Sequence, residues 1–295
     1  MADIEPVAYD YDDRGRLSAV RQGQGEAQRK TAYSYYDHTD AASGALTGYL
    51  ESRTDALGRS EHFTYDAAGR IVSQILPDHR VVQYHYDANG NRIGLSPPGR
   101  GDHLFKHNTV DRVERYTPPE VPGIAQTYTE YFYNKDQQPT RIQRPDGQTI
   151  DFVYQLQSGK LDAVHTQDGD IQYHYLSASG QLDSLTLPDG DSLAYRYDGS
   201  LVTGQIWTGT INGQVDFGYS SDFRIKSISL NQADSVAYSY DKDGLLTQAG
   251  LLTLTRKPQN GLLAGTVLGA VSDSISYNGF GETSDYQAII NGAPL

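Results

Sequence analysis

The stretch V-Q-Y-H-Y-D-A-N-G-N-R-I at residues 82–93 carries the pattern that decides the fold. In its first half Val82, Tyr84 and Tyr86 alternate with polar residues, and a period of two residues is typical of a strand with one half-buried face. The D-A-N-G sequence at 87–90 then places Asp first and Gly fourth, as in a type I turn that ends with a left-handed glycine and a G1 bulge. The stretch therefore predicts a β-hairpin.

The same pattern recurs along the chain at intervals close to 21 residues, and a period of 20–50 residues indicates a repeat architecture. The repeat tyrosines are Tyr65, Tyr86, Tyr133, Tyr154, Tyr175, Tyr197, Tyr219, Tyr240 and Tyr277. Arg256 stands in the tyrosine position of a degenerate copy, 21 residues before the last of them. Tyr11 and Tyr36 are earlier and less regular members of the series.

Glycines and prolines mark the chain reversals between these segments. Pro-Asp-Gly at 145–147 and 188–190, with Pro-Asp at 77–78 as a partial copy, predicts a second turn at the other end of each hairpin. The predicted turn glycines are Gly69, Gly90, Gly147, Gly180, Gly190 and Gly244.

These features predict an all-β fold of tandem antiparallel hairpins, about 21 residues each, in one long sheet. A lone hairpin is marginal in water, so neighbouring hairpins must stabilise one another. Open sheets rarely exceed about ten strands without curling, so we expect a spiral or partial hollow shell. The repeat resumes after each irregular stretch, which predicts a single domain over residues 1–295 with inserts near 22–30, 38–48 and 96–126.

Composition excludes several classes of protein. The net charge of −13 disfavours binding to nucleic acid, and no apolar run is long enough to span a bilayer. The absence of cysteine rules out disulfides and thiolate metal sites, and the first residues lack the pattern of a signal peptide. The 23 tyrosines are too many for a disordered chain.

Two short motifs imitate functional sites. Gly-Asp-Ser-Leu at 190–193 matches the nucleophile block of GDSL hydrolases, but the last histidine is His174, so no later histidine is present to act as the base. Asp87 and Asn89 imitate the start of an EF-hand loop, in which the glycine would stand at position six and a glutamate at twelve. Neither requirement is met, and the similar stretch at 10–15 fails in the same way.

The histidines and the single tryptophan have a functional and a structural interpretation. His103 and His107, four residues apart, would chelate zinc from a helix, whereas their place in an irregular insert favours solvated loop histidines. His85 and His174 occupy one register and are interpreted as part of a polar sheet surface. Trp207 is interpreted as wall packing, with a ligand platform as the alternative. No catalytic, cofactor-binding or metal-binding residue is predicted.

The repeated Tyr-Asp-x-x-Gly-Arg pattern with Pro-Asp-Gly turns resembles the YD-repeat or RHS (rearrangement hotspot) family of bacterial polymorphic toxins, ABC toxin C components and teneurins. The resemblance covers the chain from Tyr9 to about Tyr286. It implies a sheet wound into a hollow shell around a C-terminal toxin, or a surface scaffold for adhesion. The Asp-Pro-x-Gly core segment of the family toxins is missing. We therefore expect an internal section of shell wall.

The predicted function is that of a non-enzymatic shell segment enclosing or scaffolding a downstream toxin or cargo domain of the parent chain. The expected location is secreted or at the cell surface, within a larger bacterial protein. The alternative is an adhesion module in which Tyr, Asp, Gln and Asn side chains bind carbohydrate or another surface protein. A carbohydrate-active enzyme with paired carboxylates ranks third, because no such pair stands out from the sequence.

Overall fold

A computed structural model describes residues 4–37, 47–123, 125 and 127–295. Contacts between residues divide the chain into two compact units. One unit spans Glu5–Asp151, and the other contains Phe152–Leu295 together with the N-terminal Ile4. Among the described residues there is no α-helix, and the helical structure consists of a short 3₁₀ turn at Gly25–Ala27.

The first unit consists of short strands joined by tight turns. They are β1 (Val7–Tyr11), β2 (Leu17–Gln22), β3 (Arg29–Tyr35), β4 (Leu50–Thr54), β5 (Ser60–Tyr65), β6 (Ile71–Ile75), β7 (Val81–Tyr86), β8 (Arg92–Ser96), β9 (His103–His107), β10 (Val113–Thr117), β11 (Thr129–Tyr133), β12 (Pro139–Gln143) and the beginning of β13 (Thr149–Tyr154).

The second unit continues in the same manner. Its strands, after the end of β13, are β14 (Leu161–Thr166), β15 (Gly169–Tyr175), β16 (Leu182–Thr186), β17 (Ser192–Asp198), β18 (Leu201–Thr208), β19 (Gly213–Tyr219), β20 (Ile225–Leu230), β21 (Asp234–Tyr240), β22 (Leu246–Ala249), β23 (Leu252–Arg256), β24 (Leu263–Leu268), β25 (Val271–Tyr277), β26 (Thr283–Ile290) and β27 (Ala293–Pro294).

Strands pair in the order of the sequence, and every pairing is antiparallel. In the first unit β1 to β13 form successive pairs, and in the second β14 to β27 do the same. The register shifts at the repeat tyrosine, as where Tyr86 faces Arg92 directly after His85 faces Gly94. This shift is the bulge that the turn sequence predicts. The predicted all-β fold of tandem antiparallel hairpins is confirmed.

The two faces of the hairpins differ in chemistry because side chains alternate along a strand. In β7 the face with Val82 and Tyr84 is half-buried, whereas the face with Gln83 and His85 is exposed. Among the described residues, the buried apolar side chains are Ala19, Tyr65, Ala163 and Val164. Burial is therefore shallow, and the aromatic face of each hairpin retains contact with solvent.

The structure agrees to different degrees with the three predicted inserts. The stretch 22–30 contains the 3₁₀ turn and the start of β3, and most of 38–48 lies outside the described residues. The stretch 96–126 contains two strands, β9 and β10, so the hairpin pattern continues through most of it. The irregular part is the longer connection between β10 and β11. The single domain over residues 1–295 stays a prediction.

Candidate functional site: the tyrosine ladder and its turns

Each repeat tyrosine lies at or next to the end of a strand, and in eight of the nine the phenol hydroxyl donates a hydrogen bond to a backbone carbonyl at or near the start of the preceding strand. The bonds are Tyr65 to Leu50 (2.8 Å), Tyr86 to Ile71 (3.0 Å), Tyr133 to Val113 (2.8 Å), Tyr175 to Leu161 (2.8 Å), Tyr197 to Leu182 (2.7 Å), Tyr219 to Val202 (2.8 Å), Tyr240 to Ile225 (2.9 Å) and Tyr277 to Leu263 (2.9 Å). Tyr154 ends β13 in the equivalent position. We call this series the tyrosine ladder.

The ladder forms where the backbone pairing between neighbouring hairpins has stopped. Between β6 and β7 the pairing nearest this end joins Ser73 to Gln83, two residues after Ile71. The Ile71 carbonyl therefore lacks its partner in the β-ladder, and an unpaired carbonyl that leaves water is costly. The hydroxyl of Tyr86 supplies the missing donor. Phenylalanine fills the same space without this hydrogen bond, which explains why the repeat uses tyrosine.

The degenerate copy keeps the bond with a different side chain. Arg256 ends β23, and its Nε donates to the carbonyl oxygen of Leu246 at 3.0 Å. Leu246 is the first residue of β22, so it corresponds to Ile71 and the other acceptors. Nη1 of Arg256 also donates to the Gly261 carbonyl at 2.9 Å, which ties it to the following turn. Arg256 thus occupies the position of the missing tyrosine and supplies the hydrogen-bond donor in place of its hydroxyl.

An aspartate closes the turn that follows three of the ladder tyrosines, Tyr65, Tyr86 and Tyr240. In the turn after β5, Oδ1 of Asp66 accepts hydrogen bonds from the backbone N–H groups of Ala68 and Arg70, both at 2.9 Å. Oδ2 accepts from Nε of Arg70 at 2.7 Å. The backbone N–H of Arg70 and then its guanidinium lower the pKa of Asp66. The lowered pKa of Asp66 thus follows from hydrogen bonds within its own turn.

In several turns a cation also covers the next ladder tyrosine. The guanidinium carbon of Arg70 lies 4.7 Å from the ring centroid of Tyr86, within the range of a cation–π contact. The same relationship joins Lys160 to Tyr175 (4.9 Å), Arg224 to Tyr240 (5.8 Å), Lys257 to Tyr277 (4.9 Å) and Arg16 to Tyr35 (4.5 Å). Turn cations and tyrosine rings therefore alternate along this edge of the hairpins. The expectation that Tyr36 is the early member of the series is wrong, because Tyr35 ends β3 and its hydroxyl donates to the carbonyl of Leu17, the first residue of β2, at 2.8 Å.

Burial shifts the pKa of the ladder tyrosines upward, whereas hydrogen bonds in the turn shift the pKa of Asp66 downward. Tyr65, which is 7% exposed, packs against Tyr36 and Tyr49 with ring centroids 6.4 Å and 4.9 Å away. Burial raises the pKa of the Tyr65 phenol, because the phenolate would lose its hydration. Burial raises the pKa of four further ladder residues as well, Tyr133, Tyr154, Tyr175 and Tyr197.

The predicted turn glycines adopt left-handed backbone angles. Their φ values are 78° for Gly69, 93° for Gly90, 83° for Gly147, 72° for Gly180, 89° for Gly190 and 82° for Gly244. Four equivalent turns hold a larger residue in the same conformation, namely His79, Asp111, Gln137 and Phe223 with φ of 65°, 60°, 62° and 63°. These four turns carry the strain that glycine avoids.

The imitations of catalytic and calcium sites are turn structures. The hydroxyl of Ser192 lies 2.7 Å from the hydroxyl of Thr208, its partner across β17 and β18, with which it forms a hydrogen bond. Asp87 accepts from the backbone N–H and the side-chain amide of Asn91 at 2.8 Å and 3.1 Å, which closes its own turn. Both motifs thus serve the hairpin ends. Across the described part of the chain, no cluster of three or more His, Asp or Glu side chains is placed to hold a metal ion.

The interpretation of His103 and His107 as loop residues is wrong, because both belong to β9. Four residues of strand span about 13 Å, too far for two ligands of one zinc ion. Nδ1 of His103 instead forms a hydrogen bond of 2.7 Å with the hydroxyl of Tyr116, and the two rings stack. His85 and His174 lie exposed on the polar face, within 3.4 Å and 3.5 Å of Ser96 and Thr186.

The comparison with protein families covers the whole of the repeat region. The family described as Teneurin YD-shell matches residues 1–293. The chain belongs to the teneurin YD-shell family. This agrees with the resemblance to YD-repeat proteins, and it makes the tyrosine ladder a feature of a YD-shell sheet. A search among curated proteins found no match.

Solved structures with the same YD-shell fold come from Tc toxins. TcdB2-TccC3 without its hypervariable C-terminal region aligns with a TM-score of 0.53 at 10% identity over 99% of this chain. TcdB2-TccC3-Cdc42 gives 0.52 at 11% over 98%, and the Photorhabdus luminescens Tc holotoxin pore with a TccC3-D651A mutation gives 0.51 at 11% over 99%. The chain spans 19% of the length of each of these chains. The described residues contain no helix with the length and apolarity that crossing a membrane requires.

Proposed function

We propose that this chain is a non-enzymatic section of shell wall that encloses or scaffolds a toxin or other cargo domain of a larger secreted or surface protein. The observation that carries the proposal is the tyrosine ladder, which fixes each hairpin to the one before it and recurs through both units. Coiling of the sheet into a shell is part of this proposal. The mechanism is steric, because a wall keeps proteases and partners away from what it surrounds.

The surface chemistry supports a structural role over a catalytic one. Several acidic groups that could do chemistry are used in turns, as Asp66 is with Arg70. The hydroxyl of Ser192 forms a hydrogen bond with that of Thr208, and no histidine follows Ser192 in the sequence. The net charge of −13 agrees with partners other than nucleic acid. A binding module of the cell surface is the second candidate, and the open groove of the second unit that is lined by Asp189, Gln205 and Trp207 favours it.

Protease protection in the parent protein tests the wall function. The cargo segment should survive a protease dose that digests the same segment expressed alone. Replacing Tyr175 and Tyr197 together by Phe should loosen the wall and speed digestion of the cargo. Leu156→Ala is the matched control, because Leu156 is fully exposed at a turn. Equal digestion of the cargo with and without the wall would rule out enclosure.

A further inference from the structure

The second unit holds an open groove of about 430 Å³ beside the turn that follows β23. Arg256, Lys257 and Gln259 line it on the side of the turn, and Ser274 and Ser276 line it from β25. The described residues of its lining include two cationic side chains and no carboxylate. We call this surface the Arg256 groove. Its size falls in the range of small-molecule sites, roughly 300–1,000 Å³.

The degenerate repeat copy reverses the charge of the Tyr-Asp pair at this groove. In a regular copy the ladder tyrosine is followed by an aspartate at the first position of the turn, as Tyr65 is by Asp66. The same two positions here hold Arg256 and Lys257. The backbone N–H of Lys257 closes the turn as that of Asp66 does, and Arg256 keeps the ladder bond. The copy therefore retains the structure of the repeat while its charge changes from negative to positive.

The positive charge of the groove is not neutralised by the turn that carries it. In the turn after β5, Arg70 forms an ion pair of 2.6 Å with Asp66. Neither Arg256 nor Lys257 forms an ion pair within the described part of the chain. Two unpaired cations lie side by side in a chain whose net charge is −13. An anionic ligand would be the counter-charge that the turn itself does not provide.

Carboxylates of the neighbouring segments lie outside the groove. Oδ1 of Asp273 accepts from the backbone N–H of Thr266 at 2.6 Å, and a carboxylate oxygen of Glu282 accepts from the side-chain amide of Asn278 at 2.9 Å. Asp285 is the partner of Ser276 across β25 and β26 and is not part of the lining. These acids border the positive surface and confine it to the groove.

Both cations are held in place by the fold. Nε and Nη1 of Arg256 donate to the backbone carbonyls of Leu246 and Gly261, at 3.0 Å and 2.9 Å. Nζ of Lys257 lies 4.9 Å from the ring centroid of Tyr277. Both side chains are half-buried. They are thus positioned before any ligand arrives, which lowers the entropic cost of binding.

Several hydrogen-bond donors of the groove remain available. Nη2 of Arg256 and Nζ of Lys257 make no hydrogen bond with the described residues. The same is true, within this part of the chain, of the hydroxyls of Ser274 and Ser276, both of which are exposed. A guanidinium group and an ammonium group only donate, and hydroxyls can donate as well. The groove is therefore suited to a ligand that offers several acceptor oxygens.

We propose that the Arg256 groove binds a phosphate group, either as the free ion or as an ester. A phosphate ester carries about −1.5 to −2 charges at neutral pH and offers three strong acceptor oxygens. Arginine and lysine are the side chains that bind phosphate in proteins. A carboxylate brings less charge and fewer oxygens, so it should bind more weakly. The site is independent of enclosure by a shell.

Calorimetry of the full chain tests this site with two probes, inorganic phosphate for the free ion and phenyl phosphate for an ester. The titrations are made at low ionic strength, because salt screens half-exposed charges. At least one probe should bind in a saturable manner at millimolar concentrations, and added sodium chloride should weaken the binding. Sodium acetate at the same ionic strength is the carboxylate control.

Variants that restore the regular repeat separate binding from folding. Arg256→Tyr and Lys257→Asp introduce the residues of a regular copy, so each should keep the circular dichroism spectrum and the urea midpoint of the wild type. Each should bind phosphate about tenfold more weakly, because a charged donor is lost. Lys242→Asp is the matched control. It changes the charge as Lys257→Asp does, but Lys242 is exposed in the turn after β21 and outside the groove, so binding should be unchanged.

The comparison of probes and variants decides the proposal. It is overturned if neither phosphate probe binds in a saturable manner, or if chloride or acetate binds as tightly as phosphate. It is also overturned if Arg256→Tyr and Lys257→Asp both bind as the wild type does, or if Lys242→Asp weakens binding as much as Lys257→Asp. Tighter binding of phenyl phosphate would support a site for an ester, and tighter binding of inorganic phosphate a site for the free ion.

Discussion

Nε of Arg256 lies 3.0 Å from the carbonyl oxygen of Leu246 and donates to it, in the place where the other hairpins use a tyrosine hydroxyl. The acceptor position is thus the constant feature of the repeat, and the donor varies. Backbone pairing between β22 and β23 starts two residues after Leu246, at Gln248, just as it does in the regular copies. A side-chain donor is needed wherever the pairing stops short.

Arg256→Tyr should therefore retain stability, and Arg256→Met should lose it. Tyrosine restores the repeat residue, whereas methionine leaves the Leu246 carbonyl without a donor, at a cost of about 1–3 kcal/mol. Urea unfolding of the three proteins measures the difference. Equal stability of the methionine variant and the wild type would show that the carbonyl needs no partner.

Tyr65→Phe should lower the free energy of unfolding by about 1–3 kcal/mol, because the Leu50 carbonyl loses its donor in a buried position. Tyr9→Phe is the matched control. Tyr9 is 58% exposed, and its hydroxyl has no hydrogen bond to the described residues, so its loss should change stability little. Urea unfolding curves are the measurement, and equal losses in both variants would contradict the role of the ladder hydroxyl.

Stability should fall at alkaline pH. The raised pKa values of Tyr65, Tyr133 and Tyr197 mean that the folded state binds the phenol proton more tightly than the unfolded state. This stabilisation is complete below the ordinary tyrosine pKa of 10.0 and is lost as pH rises through the higher folded values. Thermal unfolding across this range, followed with phenolate absorbance, measures it. Ionisation without loss of melting temperature would refute the link.

Stability should also fall in acid. Asp12, Asp55 and Asp66 have lowered pKa values in the folded state, so the stabilisation by their turn bonds is present above the ordinary value of 3.8. It is lost as pH falls below 3.8 through the folded values. Asp66→Asn should flatten the acid limb of the profile of melting temperature against pH. A variant profile parallel to that of the wild type would exclude Asp66 as a contributor.

Phe223→Gly should stabilise the chain by about 1 kcal/mol, because Phe223 has φ of 63° and is 72% exposed, so it loses strain and little packing. Gly147→Ala tests the reverse. Gly147 has φ of 83° and open space around its Cα, so the added methyl group imposes backbone strain without a clash, and a loss of about 1 kcal/mol is expected. Urea unfolding should show a higher free energy of unfolding for Phe223→Gly and a lower one for Gly147→Ala than for the wild type.

The strands and turns follow from the sequence because their causes are local. Alternation around Tyr84 and Tyr86 sets the strand, and Asp66 with Gly69 sets the turn within four residues. The prediction of a loop around His103 was wrong because the local signal is weak there. The strand His103–His107 lacks the repeat tyrosine at its end, and its alternating pattern is too short to identify.

The hydroxyl-to-carbonyl bonds have no local signature. They depend on where pairing between β6 and β7 stops, which is a property of the register of two hairpins. The close packing of Trp207 on Gly213 is likewise a contact with the next strand that no spacing in the sequence predicts. Arg256 was visible as an exception to the repeat, but its role required the distance to Leu246.

The ladder has a mechanical consequence. Each hairpin is held to its predecessor by a short stretch of backbone pairing and one side-chain donor, as Tyr240 holds Ile225. Under tension applied along the chain, the hairpins should release one after another instead of all together. Each release would free about 21 residues, a lengthening of roughly 70 Å. Such a wall yields in small steps, and the remaining hairpins keep their place while one gives way.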